Sequence, residues 1–130
     1  MSSVLVDTSI WIRFLAGREP FASQLDGLLD RQEVVAHELV HGELLIGESG
    51  RSRSRSELLK AYGKLPYAAS IAHSEVVELV IARDLRGQGI GWIDAHLVAS
   101  ALVSNVQLWT ADANLRLAAD RLRIAATPEG

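Results

Sequence analysis

Two acidic residues directly follow apolar segments that read as short strands. Asp7 comes after residues 4–6, and Asp112 comes shortly after residues 106–109. Short apolar runs of this kind, rich in Val, Leu and Trp, predict buried strands. In an open parallel sheet, ligands collect beyond the carboxyl ends of the strands, near the point where strand order reverses. We therefore expect Asp7 and Asp112 to face one cleft.

Two further acids interrupt the apolar stripes of predicted helices. Glu43 shares a helical stripe with Leu39, Val40 and Ile46. Asp94 begins a stripe at i, i+3, i+4 and i+7 with Leu97, Val98 and Ala101. A buried carboxylate without a partner is costly, and neither stripe contains a Lys or Arg that could pair with it. A divalent cation would supply the missing positive charge.

Each acid also has a simpler interpretation. Asp7 and Asp112 can cap the helices that follow them. Glu43 can reach solvent from the edge of its stripe, and Asp94 can favour the dipole of its helix. Taken singly, none of these positions indicates chemistry. The joint placement on strand ends and apolar helix faces favours a shared site.

The elements that must position these acids alternate along the chain. Strands are predicted at 4–6, 33–36, 67–71, 106–109 and 122–125. Helices are predicted from Ile10, after Pro20, and at 38–48, 51–62, 74–86, 92–104 and 113–121. Short apolar strands alternating with helices indicate an α/β fold with a parallel sheet covered on both faces.

Composition limits the possible classes of protein. The chain has 130 residues, of which 48% are hydrophobic, and we expect one domain spanning 1–130. The absence of cysteine excludes disulfides, thiol catalysis and Cys-ligated metal centres. The first residues lack the features of a signal peptide, and no apolar run approaches the ~18 residues of a membrane span. We therefore expect a soluble, cytoplasmic protein.

Charge is unevenly distributed along the chain. The net charge is −3, but residues 51–64 carry +4 and the other 116 residues carry −7. Arg51, Arg53 and Arg55 in this basic segment are candidates for binding an RNA backbone. A solvated start of a helix is the alternative interpretation of these arginines.

Four segments resemble the signatures of PIN domains, and among these the VapC-type toxins of bacterial toxin–antitoxin pairs. They are VLVDTSIWI, ELVHGELLIG, GWIDAHLVASAL and LWTAD, in this order along nearly the whole chain. The resemblance implies a three-layer α/β/α sandwich around a parallel sheet of four or five strands. It also implies an endoribonuclease that needs Mg²⁺ or Mn²⁺, a small cognate antitoxin and a homodimer.

The family's acids fall on Asp7, Glu43, Asp94 and Asp112, and its supporting hydroxyls on Ser9 and Thr110. We expect Asp7 to be the central metal ligand, with Asp94 and Asp112 as direct or water-mediated ligands and Glu43 as a ligand or an orienting group for water. Hard cations prefer such oxygen ligands, and a bound cation activates water against phosphorus, so no covalent nucleophile is required. Some relatives have a further acid where this chain has Asn114, which leaves one or two metals open.

Three other functions were weighed against this interpretation. A phosphatase with an aspartyl nucleophile is expected to have a second Asp two residues later, where Ser9 stands. A receiver domain needs a Lys after a late strand, and none closely follows Trp109. A binding module that kept only the fold would not need all four acids. His37 and His41 have helical i, i+4 spacing, but no third ligand for zinc is evident.

Overall fold

Three short parallel strands form the centre of the fold. A computed structural model of the chain describes residues 3–47 and 53–128, with the backbone alone for 53 and 54. Strand β1 (Val4–Val6) lies in the middle and pairs with β2 (Val34–Val35) on one side and β3 (Gln107–Trp109) on the other. All three residues of β1 are buried, as expected for a central strand covered on both faces.

The outer segments of the sheet are shorter than the sequence predicts. Instead of full strands at 67–71 and 122–125, the described residues form one parallel bridge at Tyr67 and one at Ala125. The first segment leaves the sheet because the amide of Ala69 donates to Ser104 Oγ (2.9 Å). The second cannot extend backwards because Arg123 has a positive φ of 63°. The expected four or five strands are thus three strands with a bridge on each edge.

Seven helices are present in the described residues, and the crossovers place them on both faces of the sheet. They are α1 (Thr8–Leu15), α2 (Phe21–Asp30), α3 (Glu38–Ile46), α4 (Arg53–Tyr62), α5 (His73–Ala82), α6 (Trp92–Ser104) and α7 (Ala113–Arg121). The chain moves outward from β1 to β2 and then returns to β3 on the other side of β1. Right-handed crossovers therefore put α1–α4 on one face and α5–α7 on the opposite face. None of the described helices is long and apolar enough to span a bilayer.

Helix α5 ends four residues before its predicted end at residue 86. Asp84 adopts a positive φ of 52°, and the amide of Leu85 turns back to donate to the carbonyl of Val80 (2.9 Å). Leu85 is thereby buried in the core, which offsets the lost helical turn. Helices α6 and α7 have the bounds that the sequence predicts.

Candidate active site

Asp7 is the most buried of the four acids and stands at the carboxyl end of β1. Its side chain is only 5% exposed. Oδ1 accepts hydrogen bonds from Ser9 Oγ (2.5 Å) and from the amide of Ile10 (3.3 Å), so Asp7 caps α1. Oδ2 accepts from Thr110 Oγ1 (2.5 Å). Asp7 therefore has the predicted capping role and is also held across the sheet.

Two hydroxyl groups connect Asp7 to the loop that precedes α7. Ser9 Oγ accepts a hydrogen bond from the amide of Ala111 (3.1 Å) while donating to Asp7. Thr110 Oγ1 accepts from the amide of Asp112 (3.0 Å) while donating to Asp7. Each hydroxyl thus uses its donor and an acceptor to join the ends of β1 and β3. The structure places Ser9 and Thr110 in direct contact with the first acid.

Glu43 reaches the same region from α3. Its side chain is half-buried, and Oε1 accepts a hydrogen bond from Thr8 Oγ1 (2.6 Å). Thr8 is not among the site residues that the sequence indicates. Its contact with Glu43, 35 positions away, depends on the packing of α1 against α3. The first turn of α1 therefore contacts two of the four acids.

Asp94 and Asp112 lie in the first turn and at the N-cap of two helices. Asp94 Oδ2 accepts from the amide of Gly91 (3.2 Å), the residue that precedes α6. Asp112 Oδ1 accepts from the amide of Leu115 (2.9 Å) and caps α7. Both carboxylates are thus held at the positive ends of helix dipoles.

The pKa of Asp94 responds to the charges of the other three acids. Burial raises the pKa of Asp94 above its ordinary value, and the negative charges of Asp7, Asp112 and Glu43 raise it further. Burial also raises the pKa of Asp7, against the hydroxyl bonds from Ser9 and Thr110 that favour its charged form. In residues 3–47 and 53–128, no ion pair involves any of the four acids.

The donor set fits a hard divalent cation in its chemistry. Glu43, Asp94 and Asp112 each use one carboxylate oxygen in a hydrogen bond, and the other oxygen has no donor among the described residues. In that same part of the chain, no three acidic or histidine side chains already stand close enough together to hold a metal ion. Hard divalent cations prefer carboxylate oxygens as ligands, and Glu43, Asp94 and Asp112 each keep one such oxygen without a donor in the described part of the chain.

The other candidate residues stand apart from this site or outside the described residues. Arg51 lies outside them, as does the side chain of Arg53, whose backbone begins α4; Arg55 is half-buried in α4. His37 is buried, with Nδ1 accepting from the amide of Leu39 (3.0 Å) and Nε2 bonded to Ser100 Oγ (2.8 Å). Both ring nitrogens of His37 are therefore engaged within the core.

Comparison with known proteins identifies the family of this chain. A model of the PIN domain family matches residues 4–121. Two relatives named Ribonuclease VapC32, from two strains of Mycobacterium tuberculosis, are each 36% identical over 127 residues, covering 97% of this chain and 98% of theirs. The crystal structure of PAE2754 from Pyrobaculum aerophilum matches the fold with a TM-score of 0.60 and 21% identity, covering 90% of this chain and 79% of that one. With a family model that matches residues 4–121, and with relatives along almost its whole length, the chain belongs to the PIN domain family.

Proposed function

We propose that this protein is a metal-dependent endoribonuclease and the toxin of a toxin–antitoxin pair. The observation that supports this most is that Asp7, Asp112 and Glu43 raise the pKa of Asp94 while no Lys or Arg in the described part of the chain forms an ion pair with any of the four acids. The relatives named Ribonuclease VapC32 support RNA as the substrate. A site of uncompensated acids suits a reaction on phosphate only when cations are bound as well.

The four acids have distinct tasks in the proposed reaction. Asp7 is fixed by two hydroxyls and supplies the central ligand position, and Asp94 and Asp112 would supply further direct or water-mediated ligands. Glu43, steadied by Thr8, holds a ligand position or accepts a hydrogen bond from the attacking water. A bound Mg²⁺ or Mn²⁺ neutralises charge on the phosphate and makes water a better nucleophile. In-line attack on phosphorus then breaks the bond to the 3′-oxygen, which leaves with a proton.

The proposal includes partners as well as a substrate. We propose an antitoxin that occludes the site, a homodimer, and a contribution of Arg51, Arg53 and Arg55 to RNA affinity. Exposed apolar side chains on α1 and α3 support a surface covered by protein, since Ile12 is 46%, Leu45 59% and Ile46 88% exposed. We also propose that the protein is located in the cytoplasm.

Cleavage of total RNA, followed by analysis of the product ends, tests the proposed function. We expect cleavage with Mg²⁺ or Mn²⁺, none with EDTA, and products with 5′-phosphate and 3′-hydroxyl ends, because water rather than the 2′-hydroxyl attacks phosphorus. Asp112→Asn should reduce the rate at least ~100-fold. Asp26→Asn, which removes an exposed acid on α2, is the matched control and should keep full activity. Products ending in 2′,3′-cyclic phosphate would contradict the mechanism, and undiminished cleavage in EDTA would contradict the metal dependence.

A further inference from the structure

A groove beside the four acids is lined by two arginines. It has a volume of about 660 Å³ and runs between α1, the start of α2, the start of α7 and residues 126–128. Thr110 and Ala111 form the wall nearest the acids, and both are bonded to the Asp7 network. Arg13 and Arg116 line the same groove. A ligand that occupies the acidic site can therefore extend directly into this groove.

Arg13 is directed toward the site by its position in α1. It follows Ser9 by four residues, and its Nη1 donates to the carbonyl of Ser9 (3.0 Å). The hydroxyl of the same Ser9 donates to Asp7, so Arg13 and the most buried acid contact one common residue. The guanidinium is also packed 5.5 Å from the ring centroid of Phe21. Among residues 3–47 and 53–128, Arg13 has no carboxylate partner.

Arg116 occupies the equivalent place on α7. It follows Asp112 by four residues on the same face of the helix, and its amide donates to the carbonyl of Asp112 (2.9 Å). Its Nε forms an i,i+4 ion pair with Asp120 Oδ2 (3.4 Å), which is half-exposed, but has no hydrogen-bond partner in the described part of the chain. The side chain is 43% exposed, so its guanidinium can engage a ligand in the groove.

Two guanidinium groups in one groove of an acidic protein select for an anion. The planar guanidinium matches the oxygens of a phosphodiester and can bind two of them at once. A polypeptide with acidic side chains could also contact the arginines, but it would then have to pass the four carboxylates. An RNA strand suits both places, because one phosphate reaches the acids with their cation and the next reaches the arginines.

We propose that Arg13 and Arg116 together bind the RNA phosphate adjacent to the one that is cleaved. This inference rests on the proposed ribonuclease function and names how the substrate is held there. Since phosphate contacts carry no base information, the arginines set affinity and strand position without selecting a sequence.

Binding of a short fluorescein-labelled single-stranded RNA, measured by anisotropy in EDTA over a range of salt concentrations, tests this proposal. EDTA prevents cleavage, so affinity is measured separately from activity. Arg13→Gln and Arg116→Gln should each weaken binding about tenfold, as expected for a charged hydrogen bond. The double variant should also reduce the magnitude of the slope of log affinity against log salt by about 0.7, the value for one phosphate charge that is no longer neutralised. Arg13→Lys and Arg116→Lys should keep most of the slope because they keep the charge.

Arg31→Gln is the matched control. Arg31 lines a neighbouring groove of about 320 Å³ beside Val4 and Gln107, at the amino ends of β1 and β3, which meets the arginine groove only at residues 126–128. Arg31→Gln removes one positive charge, as each groove variant does. Any loss of RNA affinity that comes from net charge alone should therefore also appear in Arg31→Gln. Thermal unfolding of each variant in the same buffer shows that it is folded.

The outcomes separate this proposal from the proposed function. If the wild type cleaves RNA with Mg²⁺ but the double variant binds like Arg31→Gln, the groove does not bind phosphate and only this inference is overturned. Loss of binding to a labelled acidic peptide, with RNA binding unchanged, would overturn it in favour of a protein ligand. A wild type that neither binds nor cleaves RNA would overturn the proposed function, and this inference with it.

Discussion

The surroundings of Asp94 have opposite effects on its charged form. Its bond from the Gly91 amide at the start of α6 favours the carboxylate, as does the positive end of the helix dipole. Burial and the three neighbouring acids favour the neutral acid and raise its pKa. The second effect is the larger, so a folded protein without metal is destabilised at neutral pH by the charge that its proposed reaction requires.

Replacing Asp94 by Asn should therefore leave the metal-free protein equally stable or more stable at neutral pH. Asn keeps an oxygen that can accept from Gly91 and removes the repelled charge at almost constant volume. Because the folded pKa of Asp94 is raised, the wild-type penalty is absent below the ordinary pKa of about 4 and develops as pH rises through the folded value. The advantage of Asp94→Asn should thus shrink as pH falls toward about 4. Urea unfolding in EDTA at several pH values measures this, with Asp26→Asn as control.

A variant that is markedly less stable than wild type at neutral pH would contradict this view. Asp94 would then act mainly as a cap, and the proposed site would lose one of its members.

At the scale of elements, α3 depends on a buried histidine for the position that brings Glu43 to the site. His37 caps α3 through Nδ1, while Nε2 is bonded to Ser100 on α6. The amide of His37 donates to the hydroxyl of Tyr62 at the end of α4 (2.9 Å). One residue thereby joins three helices around the end of β2. Burial lowers the pKa of His37, and the charge of His96 lowers it further, against the opposing effect of Glu38.

Protonation of His37 should loosen this junction. Because its folded pKa is lowered, the stability it contributes is present above the ordinary pKa of about 6.5 and is lost as pH falls from there toward the folded value. His37→Asn keeps a capping oxygen but not the titration, so its stability should change less with pH over this range, at a general cost of about 1–3 kcal/mol. Urea unfolding between about pH 5 and pH 7.5 measures the slope. His73→Asn, at an exposed position on α5, should keep the wild-type slope.

The elements that sequence predicted best are those whose signals are local. Helix α7 follows an Asp cap, and α6 ends where Asn105 takes up the left-handed conformation, with φ of 54°. The predicted lengths of the outer strands were too great because the ends of these strands depend on contacts with distant parts of the chain, such as that of Ser104 with Ala69. Thr8, Arg13 and Arg116 were not identified as site residues for the same reason. The positions of these residues relative to Glu43, Ser9 and Asp112 indicate a shared site only when the helices are packed around one cleft.

At the scale of the whole molecule, opposite charges are separated along one edge of the sheet. The four acids lie at the carboxyl ends of β1 and β3 and at the helices beside them, and the arginine groove begins at the next residues of the same loop. The net charge of −3 does not indicate this separation of acidic and basic groups. Binding of the proposed cation among these acids would be linked to the stability of the entire domain.

This linkage predicts that Mg²⁺ stabilises the wild type against heat. Binding to the folded state alone adds RT ln(1 + [L]/Kd), about 1.4 kcal/mol when Mg²⁺ is at ten times its Kd, which corresponds to several degrees in Tm. Asp94→Asn and Asp112→Asn should reduce this gain, since each removes a ligand oxygen's charge, whereas Asp26→Asn should keep it. Thermal unfolding in EDTA and in several millimolar Mg²⁺ compares the four proteins. If the gain persists undiminished in both site variants, Mg²⁺ binds elsewhere, and the raised pKa of Asp94 reflects burial without a metal site. If the gain disappears in the site variants only, the same carboxylates that destabilise the free protein hold the cation.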